Sequence, residues 1–282
     1  MHRFDFLEPT SLEEAQAALA EHGDDAKIMA GGTALILFMR QRLLQPAVIV
    51  SLRQVPGLDE VQAVDGGIRI GTLVTHRRAE IHPLVRERFP ALEETLERVA
   101  TIRIRNMGTV GGNLAHADPA QDPPATLLAL GASVDVVGPG GKRTIPLDEF
   151  FRDYYETALE PGEVLTHINV PPPPARHAQA FSKFLPRSVD DYATVAVAVS
   201  LGLSPDGQRC EEARIGLGAR LGGASSLISS SVRPVSAEPS CSSMSHCGSS
   251  AASLCLIISH SLPFSLCFSL TSTKLPFSFS PF

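Results

Sequence analysis

Residues 105–124 read RNMGTVGGNLAHADPAQDPP and place three glycines within five positions, followed by Asp118, Asp122 and a proline pair. Glycines permit tight turns, but they also let backbone N–H groups approach a ligand such as a phosphate closely. The stretch therefore has two interpretations, an ordinary turn or part of a phosphate-binding loop, and the rest of the chain has to distinguish them.

A second glycine motif occurs earlier, at Ala30-Gly31-Gly32-Thr33. It lies between a predicted buried strand, Ala26–Met29, and a helix predicted from about Thr33 to Leu44, so a helix N-terminus would offer unpaired N–H groups behind it. The segment Thr109–Asn113 has the same pattern, for which we expect exposed amides and a threonine hydroxyl. Two such loops could hold the two phosphates of a dinucleotide. Neither loop has GxGxxG or GxxxxGK[ST] spacing, so spacing alone favours turns.

The two aspartates narrow the choice. A carboxylate beside a phosphate site is unfavourable unless it accepts hydrogen bonds from hydroxyls, as the acidic residue of dinucleotide sites does. Asp118 precedes Pro119 and is best interpreted as a turn or cap residue. Asp122 precedes Pro123, where an N-cap and a ligand contact are equally good interpretations.

The composition limits the classes of function. The chain has 282 residues, of which 44% are hydrophobic, and a net charge of −6. This length suits one large domain or two ordinary ones, and the acidic balance argues against nucleic-acid binding. No cysteines have CxxC spacing, so we expect neither a zinc site nor an iron–sulfur cluster on this chain. The N-terminus shows no secretory signal, and we expect a cytoplasmic protein.

Local patterns predict several further elements. The segment SLEEAQAALAEH (11–22) is typical of a helix capped by Thr10 or Ser11, and FPALEETLERVA (89–100) has apolar residues at helical spacing. Thr75 is expected to cap a short helix, and a hairpin turn is expected at Gly138–Gly141.

The chain from Pro171 onward divides into distinct segments. The run Pro171–Pro174 is a plausible domain boundary, and 177–219 reads as at least three strands, two of them joined by the turn SPDGQ. After Arg220 the chain is rich in serine, and its only charged residues are Arg233, Glu238 and Lys274. We interpret 220–282 as a low-complexity tail that is aberrant, from an altered reading frame or a gene-model error, or disordered. Its apolar run is broken by Ser, His and Pro, so no membrane span is expected.

The two glycine motifs together resemble the FAD-binding subunit of the molybdenum hydroxylases. AGGTALI resembles the family motif AGGTDL, and RNMGTVGGNLAHADPAQDPP resembles RNxGTxGGNLAxADPxxDxP. The family includes the medium subunit of carbon monoxide dehydrogenase and the flavin domain of xanthine dehydrogenase. The resemblance extends from about Phe4 to Ala219. Ala34 stands where the family has Asp, from which we expect weaker tuning rather than loss of cofactor binding.

The resemblance implies an α+β fold. Residues 1–175 would form a FAD-binding domain of the vanillyl-alcohol-oxidase (PCMH-like) type, with subdomains of about 1–55 and 56–175. Residues 176–219 would begin a C-terminal domain of antiparallel strands and helices, which would be incomplete if 220–282 is aberrant.

The resemblance also implies which residues hold the FAD. Two segments, Lys27–Ala34 and Thr109–Asn113, would surround the pyrophosphate and neighbouring parts of the cofactor. Asp122 would meet the polar side of the flavin, Val99 would lie against the cofactor, Leu165 would pack near the adenine end, and Lys183 would also reach the FAD. The complete predicted set is Lys27, Ile28, Met29, Ala30, Gly31, Gly32, Thr33, Ala34, Val99, Thr109, Val110, Gly111, Gly112, Asn113, Asp122, Leu165 and Lys183.

Other candidate residues are fewer. Arg187 and Tyr192 match a segment that faces the flavin ring in relatives. His76, His116 and His167 are interpreted as surface or core histidines, and we assign neither a catalytic residue nor a metal ligand to this chain.

The implied function is electron transfer within a hetero-oligomer. A molybdopterin-containing large subunit would hydroxylate the substrate, and a small subunit with [2Fe–2S] clusters would pass electrons to the FAD and so to an external acceptor. Two alternatives remain open. In the first, the chain is a stand-alone flavin-dependent oxidoreductase of the same broad fold, and in the second it is a truncated flavin-binding fragment without activity.

Overall fold

The structure is a computed structural model that describes residues 2–185, 188, 191–206 and 209–219, together with the backbone of short strands at 230–232, 253–256 and 266–269. Met1–Arg233 and Pro234–Phe282 form separate units. Arg187, part of the SPDGQ turn and most of the predicted tail over 220–282 lie outside the described residues.

Short helices are frequent in the first unit, and several begin at a hydroxyl that caps a backbone amide. Ser11 Oγ accepts from Glu14 N at 3.1 Å, and Thr75 Oγ1 accepts from Arg78 N at 3.2 Å, which confirms both predicted caps. The helices are α1 (Leu12–His22), α2 (Thr33–Arg40), α3 (His76–Glu80), α4 (Pro83–Arg88), α5 (Pro90–Glu97), α6 (Ile102–Met107), α7 (Val110–His116), α8 (Pro123–Ala129) and α9 (Leu147–Phe150), with 3-10 turns at Gly23–Asp25 and Leu52–Gln54.

Strands of the first unit belong to four sheets, and the described residues of the second unit form one antiparallel pair. The strands are β1 (Asp5–Leu7), β2 (Ala26–Met29), β3 (Val48–Ser51), β4 (Val61–Val64), β5 (Gly67–Gly71), β6 (Ser133–Gly138), β7 (Gly141–Pro146), β8 (Phe151–Asp153), β9 (Glu156–Thr157), β10 (Val164–Val170), β11 (His177–Phe184), β12 (Val195–Leu203), β13 (Cys210–Ala219), β14 (Ser230–Val232), β15 (Ser253–Leu256) and β16 (Leu266–Ser269).

A three-stranded parallel sheet has the order β1-β3-β2. Every residue of the central strand β3 is buried, as expected for a strand with neighbours on both edges and cover on its faces. Ala15 of α1 packs with Val48 and Val50 in its core. The first glycine motif follows β2 directly, so this sheet fixes where that loop begins.

A five-stranded antiparallel sheet has the order β4-β5-β10-β6-β7. Strand β6 alternates between half-buried and buried residues, as expected for a strand with one covered face. Helices α5, α7 and α8 cover that face through fully buried side chains, among them Leu92, Leu114 and Leu127. Strands β6 and β7 form the predicted hairpin across Gly138 and Gly141.

The third sheet has the order β11-β12-β13-β14, and its first three strands confirm the prediction for 177–219. Phe181 and Ala196 pack against Ala91 of α5 and Ala129 of α8. The mixture of helices and largely antiparallel sheets confirms the predicted α+β class. Strand β10 ends at Val170, and the domain boundary expected at the following prolines stays a prediction.

Two predicted helices end earlier than expected. Helix α2 ends at Arg40 rather than Leu44, because Arg42 adopts a φ of 62° that an α-helix cannot contain. Helix α5 ends at Glu97 rather than Ala100, where Ala100 has a φ of 39°. Within the described part of the chain, no helix has the length and apolarity needed to cross a membrane.

Candidate cofactor site

The first glycine motif needs bare backbone for two physical reasons. Gly32 has a φ of 72°, in the left-handed region, and caps the N-terminus of α2. A Cβ on Gly31 would lie only 2.1 Å from the carbonyl oxygen of Met107. Because Met107 ends α6, the first motif packs against the segment that leads into the second motif.

The first turn of α2 keeps its donors free. Ile36 N donates to Gly32 O at 3.0 Å, which is the first bond of the helix. Among the described residues, no group accepts from the amides of Gly32, Thr33 or Ala34. Unpaired N–H groups at the positive end of a helix dipole suit an anionic ligand. Predicted site residues Lys27, Ile28 and Met29 lie on β2, directly before this turn.

The second motif differs from the first. We expected exposed amides here, and for four residues that expectation is wrong, because the folded chain already supplies their acceptors. The amides of Val110, Gly111, Gly112 and Asn113 donate, in that order, to the Val74 carbonyl at 2.9 Å, the Thr72 carbonyl at 3.2 Å, Thr109 Oγ1 at 3.1 Å and the Thr109 carbonyl at 2.9 Å. At these four residues, side chains rather than amides are therefore the groups that remain for a ligand.

Two side chains of the second motif have capacity left for a ligand. Asn113 Oδ1 is buried and has no hydrogen-bond partner in the protein. Thr109 Oγ1 accepts from Gly112 N, which leaves its hydroxyl proton free to be donated elsewhere. An acceptor and a donor of this kind fit the hydroxyls and phosphates of a dinucleotide such as FAD.

The two motifs meet in space. A Cβ built on Gly112 would lie 3.3 Å from Ala30 Cβ and 2.8 Å from Thr109 Oγ1. Gly111 is different, since its Cβ would lie 1.9 Å from Thr72 Oγ1 and 2.6 Å from Thr72 Cα. The bare backbone at Gly111 therefore permits internal packing, whereas Gly112 allows the two loops to approach each other.

Asp122 and Lys183 form a buried ion pair. Lys183 Nζ lies 2.7 Å from Asp122 Oδ2 and also donates to the carbonyl of Arg98 at 3.1 Å. Asp122 precedes α8, but its side chain does not cap that helix. Its other oxygen, Oδ1, is buried without a partner. Asp122 thus occupies the N-cap position, but the capping hydrogen bond that this interpretation implies is not formed. One carboxylate oxygen remains that can accept a hydrogen bond from a ligand.

Burial decides the electrostatics of this pair. Burial raises the pKa of the Asp122 carboxyl, while the charge and hydrogen bond of Lys183 act in the opposite direction. The side chains are 6% and 1% exposed, so each charge depends on the other for compensation.

The other predicted site residues lie in two places. Val99 follows Arg98 and is 9% exposed, and its carbonyl accepts from Arg105 Nη1 at 3.1 Å, so Val99 is adjacent in sequence to the carbonyl that Lys183 contacts. Leu165 pairs with Val136 in the five-stranded sheet, and its side chain belongs to the main core. The cofactor-binding role of this whole set stays a prediction.

A local hydrogen bond confirms that Asp118 is a turn residue. Asp118 Oδ1 accepts from Ala120 N at 3.0 Å, two residues along the chain. Asp118 also interacts with Tyr192. Burial is the larger cause, and Asp118 the next, of a rise in the pKa of the Tyr192 phenol to about 12. Tyr192 therefore has a partner at the second motif, although its own side chain is 56% exposed.

Of the three histidines, His76 is the clearest core residue. It is 3% exposed, and burial together with the nearby Arg105 charge lowers its pKa to about 4. A Cβ on Gly108 would lie 3.2 Å from its ring, so His76 supports the backbone just before the second motif. His167 is half-buried beside Arg69 and Asp135 in the five-stranded sheet.

Sequence reasoning missed the ring contacts around His116. Its ring lies 5.1 Å from that of Phe38 and 5.2 Å from that of Tyr155, between centroids. The three residues come from distant segments, so no pattern within one segment links them. The spacing of Phe38 and His116 behind the two glycine motifs would have been the one available indication.

Comparisons with known proteins relate the chain to one family. Residues 2–173 match the family described as "FAD binding domain in molybdopterin dehydrogenase". The carbon monoxide dehydrogenase medium chain of Afipia carboxidovorans is 39% identical over 76% of this chain and 73% of its own length. The 6-hydroxypseudooxynicotine dehydrogenase complex subunit alpha of Paenarthrobacter nicotinovorans is 38% identical over 80% of this chain and 74% of its own.

Solved structures match a similar share of the chain. A chain of the Cu,Mo-CO dehydrogenase in its cyanide-inactivated form superposes with a TM-score of 0.74 at 39% identity, covering 77% of this chain and 75% of that chain. A chain of quinoline 2-oxidoreductase from Pseudomonas putida 86 superposes with a TM-score of 0.72 at 37% identity, covering 77% and 74%.

Proposed function

Because the chain belongs to the family of FAD-binding domains of molybdopterin dehydrogenases, we propose that it is the electron-transfer subunit of a molybdenum-containing hydroxylase or dehydrogenase. FAD is its cofactor, and the chain is an oxidoreductase subunit. Its partners are a large subunit carrying molybdopterin and a small subunit carrying [2Fe–2S] clusters. A cytoplasmic location for this hetero-oligomer stays a prediction.

One observation carries the proposal. The two glycine motifs, far apart in sequence, meet at Ala30 and Gly112, and each motif contributes groups without a protein partner among the described residues. Free amides at the start of α2 suit a pyrophosphate, and Asn113 Oδ1 suits a hydroxyl. The arrangement supports FAD as the ligand of this surface.

The residues of the chain bind and orient the cofactor. FAD, when bound, can accept electrons singly and pass them on in pairs. The backbone at 30–34 would hold its phosphates, and Thr109 would donate to one of them. The buried Lys183–Asp122 pair would place a fixed dipole beside the cofactor. The substrate is selected on another chain, so this chain's residues do not specify it.

Purification with and without the two partner subunits tests the proposal. We expect the chain alone to carry the blue-absorbing flavin spectrum, and flavin reduction by substrate to require both partners. Reduction of the isolated chain by a small-molecule substrate would favour the stand-alone oxidoreductase instead. A folded, colourless chain that added FAD does not colour would contradict FAD binding itself.

A further inference from the structure

Three aromatic rings connect α2, which follows the first glycine motif, with α7, whose first turn contains the second motif. Phe38 lies on α2, and His116 ends α7. Their rings meet edge to face at 5.1 Å, and Tyr155 completes the cluster at 5.8 Å from Phe38 and 5.2 Å from His116. Aromatic pairs at such distances and angles attract one another beyond their burial.

The same two helices also meet at their opposite ends. The start of α7 approaches the loop before α2 at Gly112 and Ala30, where an added Cβ would leave 3.3 Å. The helices are therefore joined at the glycine end by close backbone approach and at the far end by the ring cluster. Two separated contacts fix the angle between two short helices, which one contact cannot do.

The backbone around Tyr155 holds its ring against this cluster. Tyr155 has a φ of 57°, and its amide donates to the carbonyl of Ala117 at 3.0 Å. Ala117, the residue after α7, has a φ of 50°. Left-handed backbone at residues other than glycine is uncommon and costs energy, so the surrounding contacts must stabilise it. The turn between β8 and β9 is thereby tied directly to the end of α7.

We propose that Phe38, His116 and Tyr155 form an aromatic clamp that sets the separation of the two glycine loops and so determines how tightly the chain holds FAD. The inference rests on the part of the proposed function that places FAD between these loops, and it is independent of the partners and of electron transfer. The three residues are positioning residues, because they act through α2 and α7.

His116 acts in the clamp as a neutral aromatic ring. Burial lowers its pKa below the usual range, and the nearby Asp118 charge opposes that shift only in part. Phenylalanine is consequently the conservative replacement at this position, since it keeps the ring and removes only the polar nitrogens.

The experiment is a titration of the apo form of the full chain with FAD, in which the quenching of flavin fluorescence measures binding. Thermal unfolding of each apo protein is measured in parallel. Phe38→Leu, Tyr155→Leu and His116→Leu should each raise the FAD dissociation constant by about three- to tenfold. His116→Phe should bind FAD within about twofold of the wild type, and the Phe38→Leu/His116→Leu double variant should lose less than the product of the single losses.

A second aromatic pair supplies the matched control. Phe150 and Phe151 have ring centroids 5.2 Å apart, and they pack in the core of the five-stranded sheet rather than in the ring cluster of Phe38, His116 and Tyr155. Phe151→Leu should lower the apo melting temperature without changing FAD affinity. The clamp is overturned if wild type binds FAD while the clamp variants bind equally tightly, or if affinity merely follows melting temperature across all variants, the control included. Should Phe38→Leu not fold, the exposed Tyr155 position decides the question by the same comparison.

Discussion

Lys183 Nζ lies 2.7 Å from Asp122 Oδ2, and the two side chains are 1% and 6% exposed. The pair connects strand β11 with the residue before α8, so a charged contact lies buried where the third sheet packs on the helices. Burial raises the pKa of Asp122 in spite of Lys183, which indicates that desolvation outweighs the attraction. In such a pair each charge is needed to compensate the other, although the pair as a whole adds little to the stability of the fold.

Removing one partner of this pair should therefore cost more than removing both. We expect Lys183→Met to lower the free energy of unfolding by about 3–5 kcal/mol, because it leaves the Asp122 charge buried without compensation. The double variant Lys183→Met/Asp122→Asn should recover most of that loss. Urea unfolding of the apo proteins measures both values.

The exposed pair Arg78–Asp59 is the control for that comparison. Its side chains are both 55% exposed and its ends are 2.9 Å apart, so Arg78→Met should cost at most about 1 kcal/mol. A double variant whose loss equals the sum of the separate Lys183→Met and Asp122→Asn losses would show that the two residues are not energetically coupled.

Gly111 and Gly112 should respond differently to alanine. Gly111→Ala places a methyl group against Thr72 and should destabilise the fold by about 1–3 kcal/mol or more. Gly112→Ala pushes on Thr109 and Ala30 instead, so it should weaken FAD binding with a smaller loss of stability than Gly111→Ala causes. Flavin content after purification and thermal unfolding separate the two effects. Wild-type flavin affinity in a folded Gly112→Ala variant would argue against the loops as the two sides of the site.

Thr109 combines a structural and a ligand role. Thr109→Val removes the oxygen that caps Gly112 N at 3.1 Å, and we expect a loss of about 1 kcal/mol in stability. It also removes the hydroxyl proton available to a ligand, so FAD affinity should fall, whereas Thr109→Ser should preserve both. Ser11→Ala removes the matching cap of α1 and should lower stability alone. A Thr109→Val variant that loses only stability would restrict this residue to capping.

His76 should make stability depend on pH. Its folded-state pKa is lowered to about 4, below the unfolded value, so the unfolded chain takes up a proton first as the pH falls. The stability present above about pH 6.5 is therefore lost progressively toward pH 4, by about 3 kcal/mol in all. His76→Gln should remove that part of the pH dependence. Urea unfolding of both proteins between pH 8 and pH 4, a range that spans both pKa values, measures this change in stability. The same pH dependence of stability in His76→Gln and the wild type would contradict the role of His76.

The sequence by itself determined the features whose cause is local. Glycines next to predicted helix starts located both motifs, hydroxyls located the caps at Ser11 and Thr75, and Asp118 before Pro119 indicated a turn. The family resemblance added the α+β fold and the cofactor, because its motif covers a continuous segment. The predictions from local pattern needed only residues that lie within a few positions of one another.

Only the tertiary structure decided which groups remain available to a ligand. The amides of Val110 and Gly111 are occupied because Val74 and Thr72, from another segment, lie beside them. Asp122 meets Lys183, and Phe38 meets His116, across sequence separations that no spacing rule covers. Hydrogen-bond acceptors and ring contacts supplied by distant segments exist only once the sheets and helices have packed, and burial then sets the charges of the groups that they enclose.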